Sequence, residues 1–304
     1  MERVIMDVDT GLDDAVAIVL AAGSEQIQIE GIVAVCGNMG LEYTLENTLN
    51  VCDLLDITAP VYKGADRPLL RDKVDAGEFH GKTGLDGPVF PPRKKQVTKG
   101  LGVQYIIDTV LANPNQINLV AVGPLTDIAL AIRVEPKVAL LAKRIVIMGG
   151  SFSRGNVTEF AEFNTYADPE AAQIVFTSGA NLFLFPLDCT MQVRLSKERL
   201  ASYHAMHKKA STMVSACMDT YMYNYERFNQ GLPVLHDPLC IAFLIDPTLF
   251  GLHRKEVTVE LAEKKEYGRT LAGKDCTNGG VSVALQAKTE GFWALMDSAL
   301  ATLQ

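Results

Sequence analysis

The chain has 304 residues, 48% hydrophobic and 21% charged, with a formal net charge of -8. That balance is ordinary for a globular protein able to bury a large core, and an acidic chain without Lys/Arg runs excludes nucleic acid as a partner. No apolar stretch approaches the roughly 20 residues of a membrane span, so no membrane partner is expected.

The first apolar run, Val4–Val8, has β character and leads into a helical pattern from about Asp13 to Ala22. Between and within them fall four carboxylates in eight residues: Asp7, Asp9, Asp13 and Asp14. A strand expels charge from its core, so these acids belong to a solvent-facing rim at its C-terminal end, where open α/β sheets bind ligands. One or two acids would suit a helix N-terminus. Four repel one another unless a cation sits among them, and hard cations such as Ca²⁺ take oxygen ligands of this kind. The sequence therefore predicts a metal or catalytic site here.

Next come the run Ile27–Val35, ending in Cys36-Gly37-Asn38, and the helical pattern Leu41–Leu55. The stretch His80–Pro88 is glycine-dense, which permits tight turns and close approach to a ligand. It reads equally as a surface loop, and without a strand–GxxxxGK[ST]–helix context it is no phosphate loop. Later β-type runs are Ile117–Val122, Arg144–Met148 and Leu182–Leu187, each followed by a helical stretch. After the second of these lie Asn156, Glu162 and Asn164, whose donors and acceptors suit vicinal hydroxyls of a sugar, or simply stabilise a loop. Ser196–Glu226 reads as largely helical, with His204 and His207 spaced i,i+3 on a solvated helix face and Tyr221, Tyr223, Tyr225 and Phe228 crowding its end. His236-Asp237-Pro238 opens the apolar run Leu239–Leu244. Asp237 there is either a helix N-cap or a fifth carboxylate completing a metal shell beside a histidine. Phe292 and Trp293 fit the buried face of a final helix.

Alternating β and α patterns predict an α/β fold: an open, mainly parallel sheet flanked by helices on both faces, with a Rossmann-like core. No repeat or linker interrupts residues 1–304, so a single domain is expected. Parallel strands bring the Asp-rich, Gly37-Asn38, Gly123-Pro124, Gly149-Gly150 and Asp188-Cys189-Thr190 loops to one edge, where distant residues form one site. Cys36, Cys52, Cys189, Cys217, Cys240 and Cys276 lack CxxC spacing and read as reduced, mostly buried thiols. With no signal pattern at Met1-Glu2-Arg3, a cytoplasmic location is expected.

These residues resemble the inosine-uridine preferring nucleoside hydrolases. The family's DxDxGxDDA pattern is met by Asp7, Asp9, Gly11, Asp13, Asp14 and Ala15. Gly37-Asn38, His80-Gly81, Gly123-Pro124-Leu125-Thr126, Met148-Gly149-Gly150, Gly155-Asn156, Ala161-Glu162-Phe163-Asn164, Asp168-Pro169-Glu170-Ala171-Ala172 and His236-Asp237 follow in order. The resemblance implies a tightly bound Ca²⁺ held by Asp9, Asp14, Asp237 and the Val122 carbonyl, with Asp9 also the general base. It implies that Asp13, Asn38, Asn156, Glu162 and Asn164 hold the ribose, that His80, His236 and Phe228 surround the base, and that Met148 and Asp237 also bind the substrate. It further implies a homo-oligomer, a tetramer or a dimer, acting on ribonucleosides. Thr10 stands where the family usually has proline, which removes a fixed φ. His80 through Phe90 look like the pyrimidine-leaning bacterial members, whereas Val157 and Tyr225–Phe228 lie where the family varies with base preference.

The chemistry accounts for these residue types. Cleaving a ribosyl C–N bond builds positive charge on the sugar, which carboxylates and amide oxygens stabilise. Water attacks from the opposite face and gives its proton to a base such as Asp9. The departing base needs a proton or a strong hydrogen bond, for which His236 is the first candidate and His80 the second. Purine-preferring or nonspecific hydrolysis is the alternative within this class. Haloacid-dehalogenase-type phosphatases also carry a DxDxT-like motif, met by Asp7, Asp9 and Thr10, but Asp13-Asp14 comes too soon to be their later acidic pair. A non-catalytic nucleoside-binding protein is the remaining alternative; an EF-hand is excluded by Ile18 at the position of its terminal acid.

Overall fold

In the computed structural model, which describes residues 1–77, 81–228, 230–262, 264–277 and 279–303, strands and helices alternate through the first two thirds of the chain. They are β1 (Glu2–Val8), α1 (Leu12–Ala22), β2 (Ile27–Ala34), α2 (Leu41–Leu54), β3 (Val61–Lys63), α3 (Gly102–Ala112), β4 (Ile117–Ala121), α4 (Thr126–Val134), α5 (Lys137–Leu141), β5 (Arg144–Met148), α6 (Phe163–Ala167), α7 (Pro169–Phe176) and β6 (Leu182–Phe185). Helices α8 (Leu187–Thr190), α9 (Lys197–His204), α10 (Lys209–Arg227) and α11 (Pro238–Ile245) follow, then β7 (Phe250–Val259), β8 (Thr270–Asp275), β9 (Val281–Ala287) and α12 (Thr289–Thr302).

The nine strands form one sheet in the order β3-β2-β1-β4-β5-β6-β9-β7-β8. Pairings from β3 through β6 to β9 are parallel, and β7 pairs antiparallel with both β9 and β8. The expected open, mainly parallel α/β sheet is present. From β1 the order runs outward both ways, to β2 and to β4, so the switch in winding direction opens a crevice beyond the C-terminal ends of β1 and β4.

Period-two alternation divides the core into two layers. Val4, Met6 and Val8 of β1 pack with α1 and α10–α12 on one face, while Ile5 packs with α3, α4 and α7 on the other. Asp7 shares the face of Ile5. It is therefore not at a solvent-facing rim, as expected from the sequence, but 1% exposed and paired with Asp127 of α4. Burial, then repulsion from Asp127, holds its carboxyl far above the usual carboxylate range.

Two further departures have local causes. The β7–β8–β9 segment is absent from the sequence reading; β7 is charged and mostly exposed through His253-Arg254-Lys255-Glu256, which confines its apolar alternation to Val257 and Val259 at its end. His207 is not on a helix with His204: α9 ends at His204, and His207 adopts φ +51° in the connection to α10. Phe292 and Trp293 are buried on α12 as expected. Cys36, Cys52, Cys189, Cys217 and Cys240 are buried free thiols, and Cys276 is half-buried. Among the described residues, no helix is long and apolar enough to cross a membrane.

Candidate active site

The chain leaves β1 at Val8 and enters α1 at Leu12, so Asp9 lies at the mouth of the crevice and Asp13 and Asp14 in the first helical turn. Asp14 Oδ1 accepts from the Asp9 N–H at 3.1 Å, and its Oδ2 accepts from the Gly11 N–H at 2.9 Å. This folds the acid loop back on itself and orients Asp14 inward. Asn38, at the end of β2, closes the other side. Its N–H donates to Asp9 Oδ2 at 2.7 Å, and its side-chain amide donates to Asp14 Oδ2 at 3.1 Å and to the Asp9 carbonyl at 3.3 Å. Gly37 is required beside it, because a Cβ there would collide with Asp9 Oδ2. Asp9 Oδ1 takes no hydrogen bond from the protein.

Asp237 arrives from the distant α11. It occupies the N-cap position yet makes no side-chain cap hydrogen bond, so helix capping does not account for it. Instead Asp13, Asp14 and Asp237 bring carboxylate oxygens within 4.8 Å of one another. Asp9 flanks Asp14 beside this triad. Of the residues expected here, Asp13, Asp14 and Asp237 share this group, and Asp9 lies beside Asp14.

All four acids are buried, and for Asp9, Asp13 and Asp237 the charges acting most strongly are those of other acids in the cluster. Burial comes first in raising every one of them. Asp9 and Asp237 are pushed far above the usual range; Asp13 is pushed up to about 7, the backbone around His236 and Asp237 partly offsetting burial and the Asp14 charge. A buried cluster of this kind suits a hard, oxygen-seeking divalent cation, since it offers several carboxylate oxygens and no thiolate or imidazole within the triad.

The β4 and β5 ends complete the floor. Asn164 donates its amide to the Val122 carbonyl at 2.7 Å and to the Met148 carbonyl at 3.2 Å. Glu162 is the N-cap of α6: Oε1 accepts from Asn164 N–H at 2.8 Å, and Oε2 from Thr165 and Gly150 N–H at 3.1 and 2.7 Å. Burial raises its carboxyl and these three bonds pull it back. Asn156 is exposed in the loop before α6 and accepts from the Phe163 N–H at 2.9 Å. Loop-stabilising bonding, one of the two readings of this segment, is thus present in full.

His236 is 8% exposed, next to Asp237, with Nδ1 2.7 Å from Thr190 Oγ1. Phe228 closes α10, its ring under the Arg227 guanidinium at 5.2 Å, and is placed by that helix end rather than by the acid cluster. His80 lies outside the described residues. Sequence reasoning missed Thr190 as the partner of His236; it read Asp188-Cys189-Thr190 as a loop, whereas Thr190 closes the short helix α8. It left Tyr221 without a role and placed Tyr225 only in a segment that varies with base preference. Both are buried on α10, ring to ring at 5.1 Å, and their phenols are raised by burial and then by the Asp13 charge, Tyr225 to about 12.

Known proteins resemble this chain in sequence and fold. A profile of the family described as inosine-uridine preferring nucleoside hydrolase matches residues 4–294. The pyrimidine-specific ribonucleoside hydrolase RihB of Shigella sonnei (strain Ss046) is 40% identical over 299 residues, which are 97% of this chain and 96% of that protein. Among solved structures, a purine-preferring ribonucleoside hydrolase from Gardnerella vaginalis matches with a TM-score of 0.93 at 30% identity, covering 99% of this chain and 98% of that one. A plant nucleoside hydrolase matches with a TM-score of 0.92 at 29% identity, covering 98% of each. With the family profile spanning nearly the whole length and the motif acids converging at the sheet's switch point, the chain belongs to the inosine-uridine preferring nucleoside hydrolase family.

Proposed function

We propose that this nucleoside hydrolase cleaves the N-glycosidic bond of ribonucleosides at the Asp9–Asp13–Asp14–Asp237 cluster in a Ca²⁺-dependent reaction, with pyrimidine nucleosides preferred. The observation that carries the reading is the convergence of these buried acids, with Asp237 at a helix N-cap yet making no side-chain cap bond. Asp9, Asp14, Asp237 and the Val122 carbonyl would hold the cation, with Asp13 adjacent. When bound, Ca²⁺ supplies the positive charge that lets these carboxylates stay ionised and polarises water and sugar hydroxyls nearby.

The chain's own groups do the rest. Asp9 Oδ1, buried and unpaired, accepts the proton of the attacking water as its oxygen bonds to the anomeric carbon. Glu162, Asn164, Asn156 and Asn38 bind the ribose, and positive charge developing on the sugar is stabilised by the surrounding carboxylates. The C–N bond breaks, its electrons leave with the base, and His236 protonates that base. Ribose and a free base result, products suited to nucleoside salvage.

The 40% identity to a pyrimidine-specific enzyme supports the preference, as does the His80–Phe90 segment. The purine-preferring structural relative makes a purine preference the second reading. A steady-state panel of uridine, cytidine, inosine and adenosine, read by reducing-sugar release, separates them. Higher kcat/KM for uridine than inosine is expected; the reverse order replaces the preference, and no release from any of them removes the activity. Buried free thiols are consistent with a reducing cytoplasm. Exposed Val134 and Leu140, on α4 and α5, are consistent with self-association, which light scattering would measure.

A further inference from the structure

Asn47 of α2 is 6% exposed and has no part in the chemistry above. Its side-chain amide has two N–H bonds, and both are used. One donates to the carbonyl of Thr10 at 3.0 Å and the other to the carbonyl of Thr83 at 2.8 Å. Thr10 sits in the acid loop, between Asp9 and Gly11. Thr83 belongs to the glycine-dense loop, in a turn that Asp86 closes by accepting from the Lys82 N–H, the Thr83 N–H and the Thr83 hydroxyl at 2.9, 3.1 and 2.7 Å. Close approach of this turn to α2 depends on Gly84. It has φ +83°, and a Cβ there would lie 2.6 Å from Met39 Cγ and 3.3 Å from Asn47 Nδ2.

Helix α2 holds Thr10 a second time. Thr48 donates its only hydroxyl hydrogen to the Thr44 carbonyl at 2.7 Å, so the 2.7 Å bond between the hydroxyls of Thr10 and Thr48 is donated by Thr10. The acid loop is thereby gripped at a carbonyl and at a hydroxyl from one rigid helix. The amide of Asn47 is planar and its two N–H directions are fixed relative to each other. A shift of Thr10 that turns the amide therefore misaligns its bond to Thr83, and the reverse holds equally.

We propose that Asn47 is a positioning residue that couples the 81–87 turn to the acid loop, so that cation binding at the carboxylate cluster orders the turn and an ordered turn tightens cation binding. The inference rests on the divalent-cation reading under Proposed function. Coupling between two sites is reciprocal, so both directions are measurable.

The test uses Ca²⁺ itself as the probe, on the full chain without substrate. Amide hydrogen exchange across residues 82–86 is followed with and without Ca²⁺, and Ca²⁺ affinity is measured by calorimetry, for wild type and for Asn47→Leu and Asn47→Ser. In wild type, Ca²⁺ is expected to slow exchange at Lys82 and Thr83 roughly fivefold or more. In either variant that Ca²⁺ dependence should vanish and Ca²⁺ affinity should fall by a similar factor. Wild type that binds Ca²⁺ with no effect on the turn overturns the coupling and leaves the functional reading standing; this arm needs no variant to fold. Variants that lose thermal stability but keep both the Ca²⁺ affinity and the exchange response reduce Asn47 to a core residue and also overturn it. Wild type that binds no Ca²⁺ overturns both readings.

Discussion

Thr190 Oγ1 lies 2.7 Å from Nδ1 of His236, joining the end of α8 to the residue that precedes Asp237. A hydroxyl donates or accepts, so it holds the ring whether or not Nδ1 carries a proton.

Removing this pair in two steps separates orientation from proton donation. Thr190→Val is expected to lower kcat on uridine roughly threefold to tenfold, the worth of about one hydrogen bond. His236→Ala is expected to cost about 10²–10⁴-fold, the usual range for general acid catalysis. On p-nitrophenyl riboside, whose leaving group departs without protonation, both variants should approach wild type. Equal losses on the two substrates would give His236 a sugar-positioning role and pass the proton to His80 or a water.

Asp9→Asn keeps an oxygen to accept the Asn38 N–H but cannot take up a proton from water. Its loss should fall on kcat, by roughly 10²-fold or more, since a positioned base contributes that much. Steady-state kinetics showing near-native kcat would mean that another group activates the water.

The four clustered acids tie stability to both metal and pH. Burial raises all four carboxyls, and neighbouring carboxylate charge raises Asp9, Asp13 and Asp237 further, Asp13 to about 7, so protons and Ca²⁺ compete for the same oxygens. Ca²⁺ added to chelator-treated protein should raise Tm, and by more at pH 8 than at pH 5.5. EDTA should abolish activity and Ca²⁺ restore it. Full activity and an unchanged Tm in rigorously metal-free protein would sink the metal assignment.

Asp7 and Asp127 make a second, separate pH signature. Both are raised in the folded state, mainly by burial, Asp127 to about 7. The folded protein therefore keeps a proton that the unfolded chain has released above about pH 4. Their stabilising contribution is present below that pH and is lost as pH climbs through about 7. Asp127→Asn retains an oxygen for the Ala65 N–H, now at 2.9 Å from Asp127 Oδ1, and offers an N–H to Asp7. Its Tm should exceed that of wild type at pH 8 by a few degrees, with the gain shrinking at pH 5. A gain equal at both pH values would show that the pair shares no proton.

Local chemistry made much of the molecule readable in advance. Alternation in Val4–Val8, the Asp-rich turn before α1 and Pro238 opening α11 are patterns that the backbone expresses wherever they occur, because strand and helix periods and turn preferences act over a few residues. Most of the acid cluster was legible for the same reason: Asp9, Asp13 and Asp14 follow the end of the strand, whereas Asp7, read as part of the same rim, is buried within it. What those side chains touch was decided only by the assembled sheet. Asp7 obeys the same alternation as Ile5, but its partner is Asp127, 120 residues away, because β4 lies beside β1 and α4 follows β4. Thr190 meets His236, Asn47 meets both Thr10 and Thr83, and charged β7 finds a place between β8 and β9 through pairings that depend on strand order across the whole chain. Such contacts leave no periodic trace in the sequence, since a hydrogen bond needs one donor at one place and its position there is set by the packing of distant elements.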